Sequence, residues 1–436
     1  MAALAIGVGL AALDTAIVNT ALPGIASSLG ATPAASVWII NVYQLAMIAT
    51  MLPFAALGEI IGYRKVSIGG LVLFTAASLA CAAAWSLPSL VLARLLQGLG
   101  ASAVMGVNTA LLRAIYPSRL MGQGMGANAL IVATGFAIGP TAASLILSLS
   151  SWPWLFAINV PLGLIGIVLG LRFLPATSRA GYRFDVRTAL LNAGAFGLLV
   201  LAMGEGAHAA PAPVLVLELA ASAGFFVLLL RRQRGHPAPM LPIDLFRRPL
   251  FALSVVTAVC TFAAQSLAFV SLPFYFEHAL GRSPVETGFL ITPWALMVGV
   301  MAPIAGRFSD RYPPGLLGGA GLLALSAGLL SLLLMPAAPS SLSICWRMAL
   351  CGLGFGFFQA PNLKAIMSSA PAARAGGASG IVATARLLGQ AGGAALVALC
   401  FTVAGKHGTS WALGLGAASA ALASIASFAR LAVQKP

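Results

Sequence analysis

Long runs of apolar residues follow one another along the whole chain, and charged residues, prolines or short polar clusters separate them. A run of about 20 residues is the length of helix that crosses the hydrocarbon core of a bilayer. The runs are too uniformly apolar for the alternating strands of a membrane barrel. The pattern predicts an all-α polytopic membrane protein with fourteen spans, over approximately residues 3–26, 36–58, 66–86, 89–112, 125–148, 153–174, 188–206, 212–230, 250–276, 286–306, 315–336, 341–363, 378–402 and 410–430.

The positions of lysine and arginine test this count independently. Most of the 24 lie in every second connection between runs, which is the distribution of cytoplasmic loops in membrane proteins. Arg282 and Lys406 lie in the opposite set of connections, and Arg94, Arg347 and Arg386 lie within runs. The asymmetry predicts an even number of spans with both termini in the cytoplasm.

The count depends on residues 188–230, which could form one long element or two crossings. Basic residues flank both ends of this segment, whereas Glu205, His208, Pro211 and Pro213 interrupt its middle. We therefore expect a hairpin with its tip outside the cell, and we prefer fourteen spans to twelve.

Composition and charge exclude other classes of protein. The chain is 60% hydrophobic and only 8% charged, whereas a soluble domain carries about a quarter charged residues. The net charge is +15, but the basic residues form no patch on a polar domain, so we expect no nucleic-acid partner. The five cysteines lie inside apolar runs without metal-ligand spacing, and we expect no metal site.

The two ends of the chain contain an internal repeat. At an offset of 254 positions, glycines, an asparagine and a proline align, and one arginine aligns after a one-residue slip. The pairs are Gly98 with Gly352, Gly100 with Gly354, Asn108 with Asn362, Pro117 with Pro371 and, after the slip, Arg94 with Arg347. We predict two six-helix halves, residues 1–176 and 249–436, separated by a two-helix insertion with its linkers over residues 177–248. Repeated halves favour a substrate site near the midplane and alternating access.

Several short motifs carry a resemblance to a known family. Residues 13–23 read LDTAIVNTALP, residues 94–98 read RLLQG, and residues 135–140 read GFAIGP. The loop after the second span reads GEIIGYRK over residues 58–65, and a counterpart, GRFSDR, occupies residues 306–311. In these motifs the chain resembles the fourteen-span drug:proton antiporters of the major facilitator superfamily. The resemblance implies the major facilitator fold, multidrug efflux at a bacterial inner membrane, the proton gradient as energy source with no cofactor, and function as a monomer.

Asp14 lies about eleven residues into the first span, which places it near the midplane. A carboxylate at this depth is costly unless it faces water or a partner, so we expect it to be functional. It is our candidate for the proton-binding group or for the counter-charge of a cationic substrate. The alternative is a structural hydrogen bond to a neighbouring helix.

Arg94, Gln97 and Asn108 form a polar stripe on the predicted fourth span, because separations of three and fourteen residues return to nearly the same face of a helix. A buried guanidinium could tune the proton affinity of a nearby carboxylate, or could simply join helices through hydrogen bonds. We include these three residues with Asp14 in the predicted coupling and substrate site.

The second half has polar residues of its own within its spans. Arg347 and Arg386 have no obvious acidic partner in the sequence, and Asn362 repeats Asn108. We expect these three residues to line a cavity that can accept an anion, which counts against a strictly cation-selective exporter.

Charged residues of the two loop motifs are expected to act as a latch. Glu59 and Arg64 belong to the first motif, and Asp310 and Arg311 belong to its counterpart. Glu59 and Asp310 can pair with basic residues or cap neighbouring helices when the cytoplasmic side is closed. The alternative is that they are solvated charges that only set the topology.

Gly135 and Gly139, spaced by four residues before Pro140, allow one flank of the fifth span to approach another helix closely. The resemblance implies that this motif seals the two halves at one end. Ordinary packing of small residues is the alternative.

These observations favour a proton-coupled antiporter that exports amphipathic, cationic drugs through the bilayer by alternating access. The first alternative is a proton-coupled exporter of one metabolite or organic anion, which would share the fold. A channel or a membrane enzyme is disfavoured, because repeated halves with an embedded acid suit alternating access and no catalytic constellation is evident.

Overall fold

The computed structural model describes residues 2–117, 121–177, 184–207, 211–233, 243–309, 311–336, 338–370 and 375–433. All regular structure within these ranges is helical, which confirms the predicted all-α class. The chain folds as two units, Met1–Ala238 and Pro239–Pro436.

The described helices of the first unit form six long segments, two of which are divided near their start, and a hairpin of two further helices. They are α1 (Ala2–Ser28), α2 (Pro33–Ser36), α3 (Trp38–Ile61), α4 (Tyr63–Ala82), α5 (Leu87–Ile115), α6 (Met121–Leu149), α7 (Pro153–Ala157), α8 (Asn159–Phe173), α9 (Val186–Ala207) and α10 (Ala212–Gln233).

Helices of the second unit are α11 (Pro249–Phe274), α12 (Pro284–Phe308), α13 (Pro314–Leu333), α14 (Ser341–Ser369), α15 (Ala375–Ala404) and α16 (Gly408–Val433). A π-helical turn, Tyr275–Ala279, continues α11, and a 3₁₀ turn, Gly405–His407, separates α15 from α16.

Twelve stretches of the described chain are long and apolar enough to cross a membrane. One of them, Gly380–Ala432, contains both α15 and α16, and α6 enters only as the shorter stretch Thr134–Leu149. The chain is thus a polytopic membrane protein, and the count of fourteen crossings stays a prediction.

Helices pack on one another in the same order inside each of the two units. In the first unit α1 packs on α6 and α8, α5 packs on α3 and α4, and α4 also packs on α8. The second unit repeats these pairs in the same order: α11 packs on α15 and α16, α14 packs on α12 and α13, and α13 also packs on α16. Each unit therefore contains the same six-helix arrangement.

The aligned glycines Gly98 and Gly352 occupy the same place in this arrangement. A Cβ atom on Gly98 would lie 2.6 Å from the carbonyl oxygen of Tyr43 on α3, and one on Gly352 would overlap the carbonyl oxygen of Trp294 on α12. Both positions require glycine because the backbones of two helices touch there. This match fixes the register between α5 and α14.

The inserted hairpin, α9 and α10, belongs to the first unit. Asn192 on α9 donates a hydrogen bond to the carbonyl oxygen of Ala49 on α3, at 3.1 Å. At the open end of the hairpin, Arg232 forms two hydrogen bonds to Asp185, at 3.0 and 3.1 Å. The Arg232 guanidinium holds the pKa of Asp185 well below its ordinary value, and a hydrogen bond from Thr188 contributes.

Candidate functional site

The carboxylate of Asp14 lies at the middle of α1 and is completely covered by protein, with 1% of the residue exposed. Three side-chain donors from two other helices bind it. The Oδ2 atom accepts a hydrogen bond from Arg94 Nη1 at 2.5 Å. The Oδ1 atom accepts bonds from Gln97 Nε2 and from Asn159 Nδ2, both at 2.9 Å. The structure thus brings together three residues of the predicted coupling and substrate site, Asp14, Arg94 and Gln97.

Arg94 of α5 is as deeply buried as the carboxylate that it binds. Its Nη1 atom also donates to the side-chain oxygen of Gln97 at 2.6 Å, and its Nε atom donates to the carbonyl oxygen of Ile39 at 3.2 Å. The guanidinium stacks on the ring of Tyr43, with its carbon 4.1 Å from the ring centre. An arginine at this depth is stabilised by the carboxylate and by the ring together.

Gln97 links this ion pair to a fourth helix. Its Nε2 atom donates to Ser78 Oγ of α4 at 2.9 Å, while Asn159 contributes from the first turn of α8. The side chains therefore join α1, α4, α5 and α8, and Arg94 adds the backbone of α3. We call Asp14, Ser78, Arg94, Gln97 and Asn159 the polar cluster.

The polar cluster is electrically balanced, because it contains one carboxylate and one guanidinium in direct contact. In a medium of low dielectric constant, removing either charge alone would leave the other uncompensated. The Asp14 carboxylate accepts three N–H donors, of about four that its two oxygens can accept. A proton on this carboxylate would remove the negative charge that holds the Arg94 guanidinium.

Asn108 does not join the polar cluster. It lies fourteen residues after Arg94, which is about 21 Å along the helix. Its Nδ2 atom donates to Asn128 Oδ1 of α6 at 2.8 Å, so it joins α5 to α6. The predicted polar stripe on α5 is thus divided between two separate contacts.

The second unit has no copy of the ion pair at the place that the repeat predicts. With Gly98 matched to Gly352, the counterpart of Arg94 is Met348, and Arg347 is one residue away. One residue turns a helix by about 100°. Arg347 accordingly points elsewhere: it donates to the carbonyl oxygen of Ser331 on α13 at 2.9 Å and stacks on its neighbour Trp346. It joins α13 and α14.

Asn362 takes part in a second buried cluster, around Arg430 of α16. Arg430 Nη1 donates to Asn362 Oδ1 at 2.7 Å and to Ser254 Oγ at 3.1 Å, and its Nε atom donates to the carbonyl oxygen of Ser427. Arg430 is the last residue of the predicted final span, and the structure buries it completely. Arg386, the remaining residue of the predicted second-half cavity, is half-buried on α15.

The glycines of the fifth predicted span allow α6 to lie directly against α1. A Cβ atom on Gly135 would lie 3.0 Å from Ala12 Cβ, and one on Gly139 would overlap Ala16 Cβ. Pro140 is buried inside the same helix. The close approach is therefore present, between two helices of the first unit.

The first loop motif forms a turn of one residue between α3 and α4. Gly62 adopts a φ angle of +101°, which glycine permits without steric cost. Arg64 donates to the carbonyl oxygen of Leu171 at the end of α8, so it binds a helix C-terminus. Glu59 lies in the last turn of α3.

In the counterpart motif, Asp310 lies outside the described residues. Arg311 is exposed, and the adjacent end of α12 is bound by Lys364 of α14, whose Nζ atom lies 2.7 Å from the carbonyl oxygen of Ser309.

The profile of the Major Facilitator Superfamily matches residues 4–394 of the sequence. The chain belongs to this superfamily. It is 51% identical to "Uncharacterized transporter YebQ" of Escherichia coli strain K12, over 98% of this chain and 94% of the relative. It is 30% identical to "Riboflavin transporter RibZ" of Clostridioides difficile strain 630, over 91% of this chain and 87% of the relative. It is 32% identical to "Multidrug resistance protein Stp" of Mycobacterium tuberculosis strain CDC 1551 / Oshkosh, over 91% of this chain and 74% of the relative.

Membership of the superfamily makes this chain a transporter rather than an enzyme, as predicted. It is an integral membrane protein that moves a small molecule through the bilayer. Its relatives in bacteria include drug-resistance proteins and a riboflavin transporter.

Three residues of this superfamily member's site were missed by the sequence analysis. Asn159 and Tyr43 contact the ion pair directly, and Ser78 accepts a hydrogen bond from Gln97. Asn159 offered the clearest signal, because an asparagine inside an apolar span requires a polar partner.

Proposed function

We propose that this protein is a proton-coupled antiporter that exports amphipathic organic compounds by alternating access. It has fourteen crossings with both termini in the cytoplasm of a bacterium, and it works as a monomer in the inner membrane. The observation that carries this proposal is the fully buried contact between Asp14 and Arg94.

The position and bonding of Asp14 support proton coupling. Of the nine acidic residues in the chain, Asp14 lies closest to the middle of a predicted span, and Glu218 lies six residues into another. A proton on its carboxylate would neutralise the group and weaken the bond to Arg94. Because Arg94 also binds the backbone of α3, its release would loosen several helices of the first unit together. Proton binding would then favour one conformation of the unit over another.

The role of Asp14 as counter-charge for a cationic substrate has weaker support. Its carboxylate already contacts a guanidinium and two amides, and a cation would have to displace them. We therefore assign Asp14 to the proton.

Relatives support both kinds of exporter that the sequence suggests. The protein of M. tuberculosis is named for multidrug resistance, which favours broad drug efflux. The protein of C. difficile is named for riboflavin, which favours the alternative of one metabolite.

The test is transport by the purified protein in liposomes under an imposed pH gradient. Ethidium serves as the cationic drug probe, and riboflavin serves as the metabolite probe. We expect Asp14→Asn to abolish gradient-driven transport, because an amide cannot carry the proton. Asp14→Glu should retain part of the activity with a displaced pH profile, since the acid remains and only its reach changes.

Asp185→Asn is the matched control, because it removes a carboxylate from an exposed ion pair. Rates are normalised to protein that elutes as a single species in gel filtration. Transport by Asp14→Asn at the parental rate would refute the assignment. Proton flux in the absence of any substrate would instead favour a channel.

A further inference from the structure

The inserted hairpin contacts α3 at a carbonyl group that a proline leaves without its usual partner. Inside an α-helix, the backbone N–H of each residue donates to the carbonyl oxygen four positions earlier. Residue 53 of α3 is a proline, which has no N–H, so the carbonyl oxygen of Ala49 loses this bond. Ala49 is only 7% exposed, and a buried carbonyl group without a donor costs the free energy of its lost hydration.

Asn192 of the hairpin supplies the donor that Pro53 removes. Its Nδ2 atom lies 3.1 Å from the carbonyl oxygen of Ala49 and donates a hydrogen bond to it. Asn192 is completely buried, and its Oδ1 atom has no hydrogen-bond partner in the described part of the chain. An apolar side chain of similar size would avoid the cost of that unbonded oxygen. The donor of Asn192 therefore explains why an amide occupies this position.

The segment of α3 that precedes this bond makes two contacts with the guanidinium of the polar cluster. The carbonyl oxygen of Ile39 accepts a hydrogen bond from it, and the ring of Tyr43 stacks on it. At the start of α3, a Cβ atom on Gly204 of α9 would lie 2.8 Å from the ring of Trp38. The hairpin thus contacts α3 on both sides of these two residues, at Trp38 and at Ala49.

We propose that Asn192 is a positioning residue of the transporter: it replaces the N–H that Pro53 removes, and through this bond the inserted hairpin fixes α3 against Arg94. Arg94 in turn binds the carboxylate of Asp14. The hairpin therefore influences the proposed proton-binding group through α3. This role goes beyond the proposed function, and only the transport part of its test rests on that function.

The experiment is a double-mutant cycle between positions 192 and 53, measured by thermal unfolding of the purified protein in detergent. Asn192→Leu removes the donor and keeps nearly the same volume. It should lower the melting temperature by roughly 2–12 °C, because the carbonyl group of Ala49 is left unbonded in a unit of this size. Pro53→Ala restores an N–H inside α3. In the Pro53→Ala background, Asn192→Leu should therefore lower the melting temperature far less.

Ser222→Ala is the matched control within the hairpin. Ser222 Oγ donates to the carbonyl oxygen of Ala195 at 2.7 Å. The residue four positions after Ala195 is Leu199, which has its own N–H, so this carbonyl group is not left free by a proline. Ser222→Ala should lower the melting temperature by the same amount with Pro53 and with Pro53→Ala.

Transport in liposomes under a pH gradient tests the consequence for the polar cluster. Rates are normalised to protein that elutes as a single species in gel filtration. We expect Asn192→Leu to lose transport of the probe that the parent exports, because α3 no longer holds Arg94 in place. Adding Pro53→Ala to the same chain should restore transport at least in part, since the carbonyl group of Ala49 regains a donor.

Equal destabilisation by Asn192→Leu in both backgrounds, or none in the parent, overturns the proposed pairing with Pro53. Transport by Asn192→Leu at the parental rate overturns the positioning role. If Asn192→Leu alone yields no folded protein, the double variant decides: folded protein supports the pairing, and its absence overturns it. A parent without gradient-driven transport would refute the proposed function, whereas the stability cycle, which needs no gradient, would still decide the role of the bond.

Discussion

Replacing Asp14 by asparagine should destabilise the first unit, although an amide alone is easier to bury than a carboxylate. The substitution keeps the shape but leaves the Arg94 guanidinium without an anion in a site where both residues are about 1% exposed. It also presents either a neutral oxygen or an NH₂ donor to Arg94 Nη1, at the position where the carboxylate now accepts a 2.5 Å bond. Breaking one partner of a buried ion pair costs about 3–5 kcal/mol.

That free energy predicts a fall in melting temperature of roughly 6–20 °C for a folding unit of this size. The assay is thermal unfolding in detergent, followed with a dye that fluoresces on reaction with thiols. Cys81 suits this readout, because it is buried beside the polar cluster and contacts Gln97. Its thiol becomes reactive when the cluster opens.

The double variant Asp14→Leu, Arg94→Met distinguishes pairing from simple loss of shape. Replacing both charges by apolar groups of similar volume should be neutral or stabilising relative to either single change. Asp185→Asn is the control for loss of an exposed pair and should lower stability by no more than about 1 kcal/mol. If Asp14→Asn melts at the same temperature as the parent, or if the double variant is less stable than both single variants, the ion pair does not stabilise the first unit.

Other consequences are open to measurement. Gly139→Leu should reduce transport at normal membrane abundance, because the larger side chain forces α6 away from α1. Gly224→Leu should not reduce transport, because an added Cβ at that position meets no atom within 4 Å. Transport at the parental rate by Gly139→Leu would contradict a need for close approach of the two helices. Because Arg232 lowers the pKa of Asp185, their bond should contribute at neutral pH and be lost as the pH falls below the ordinary carboxyl range. The melting-temperature difference between parent and Asp185→Asn should therefore shrink in acid, and a constant difference would contradict the pairing. A cysteine introduced at His208 should react with an impermeant thiol reagent outside intact cells and one at Arg232 should not, while labelling at position 232 would refute the fourteen-span topology.

The helical class, the repeat and the central acid were all accessible from the sequence. The spans are recognisable by their length and hydropathy. Asp14, Arg94 and Gln97 are conspicuous because charged and amide groups are rare in apolar runs. Their direct contact could be expected because a charge deep in a span requires a partner. The other members of the polar cluster could not be predicted, because Ser78 and Asn159 lie on helices whose neighbours are determined only by tertiary packing.

Register and burial were harder to predict. The one-residue slip between Arg94 and Arg347 looked minor in the alignment, but in a helix it changes the face and hence the partners. Arg430 near the chain end was indistinguishable by sequence from a loop arginine. Only the packing of α11, α14 and α16 shows that it is enclosed by Ser254, Asn362 and its own helix.

The separation of Asp14 and Arg94 along the chain has a consequence for biosynthesis. The two residues are 80 positions apart, so α1 is synthesised well before its partner helix. A charged residue at the centre of a helix opposes insertion by the translocon by about 2.5–3.5 kcal/mol. The hydrophobicity of its leucines, isoleucines and alanines must therefore drive the first helix into the bilayer while its carboxylate has no bond to Arg94. The nascent helices have to stay together until α5 and then α8 emerge, which makes insertion of this unit a concerted event during translation.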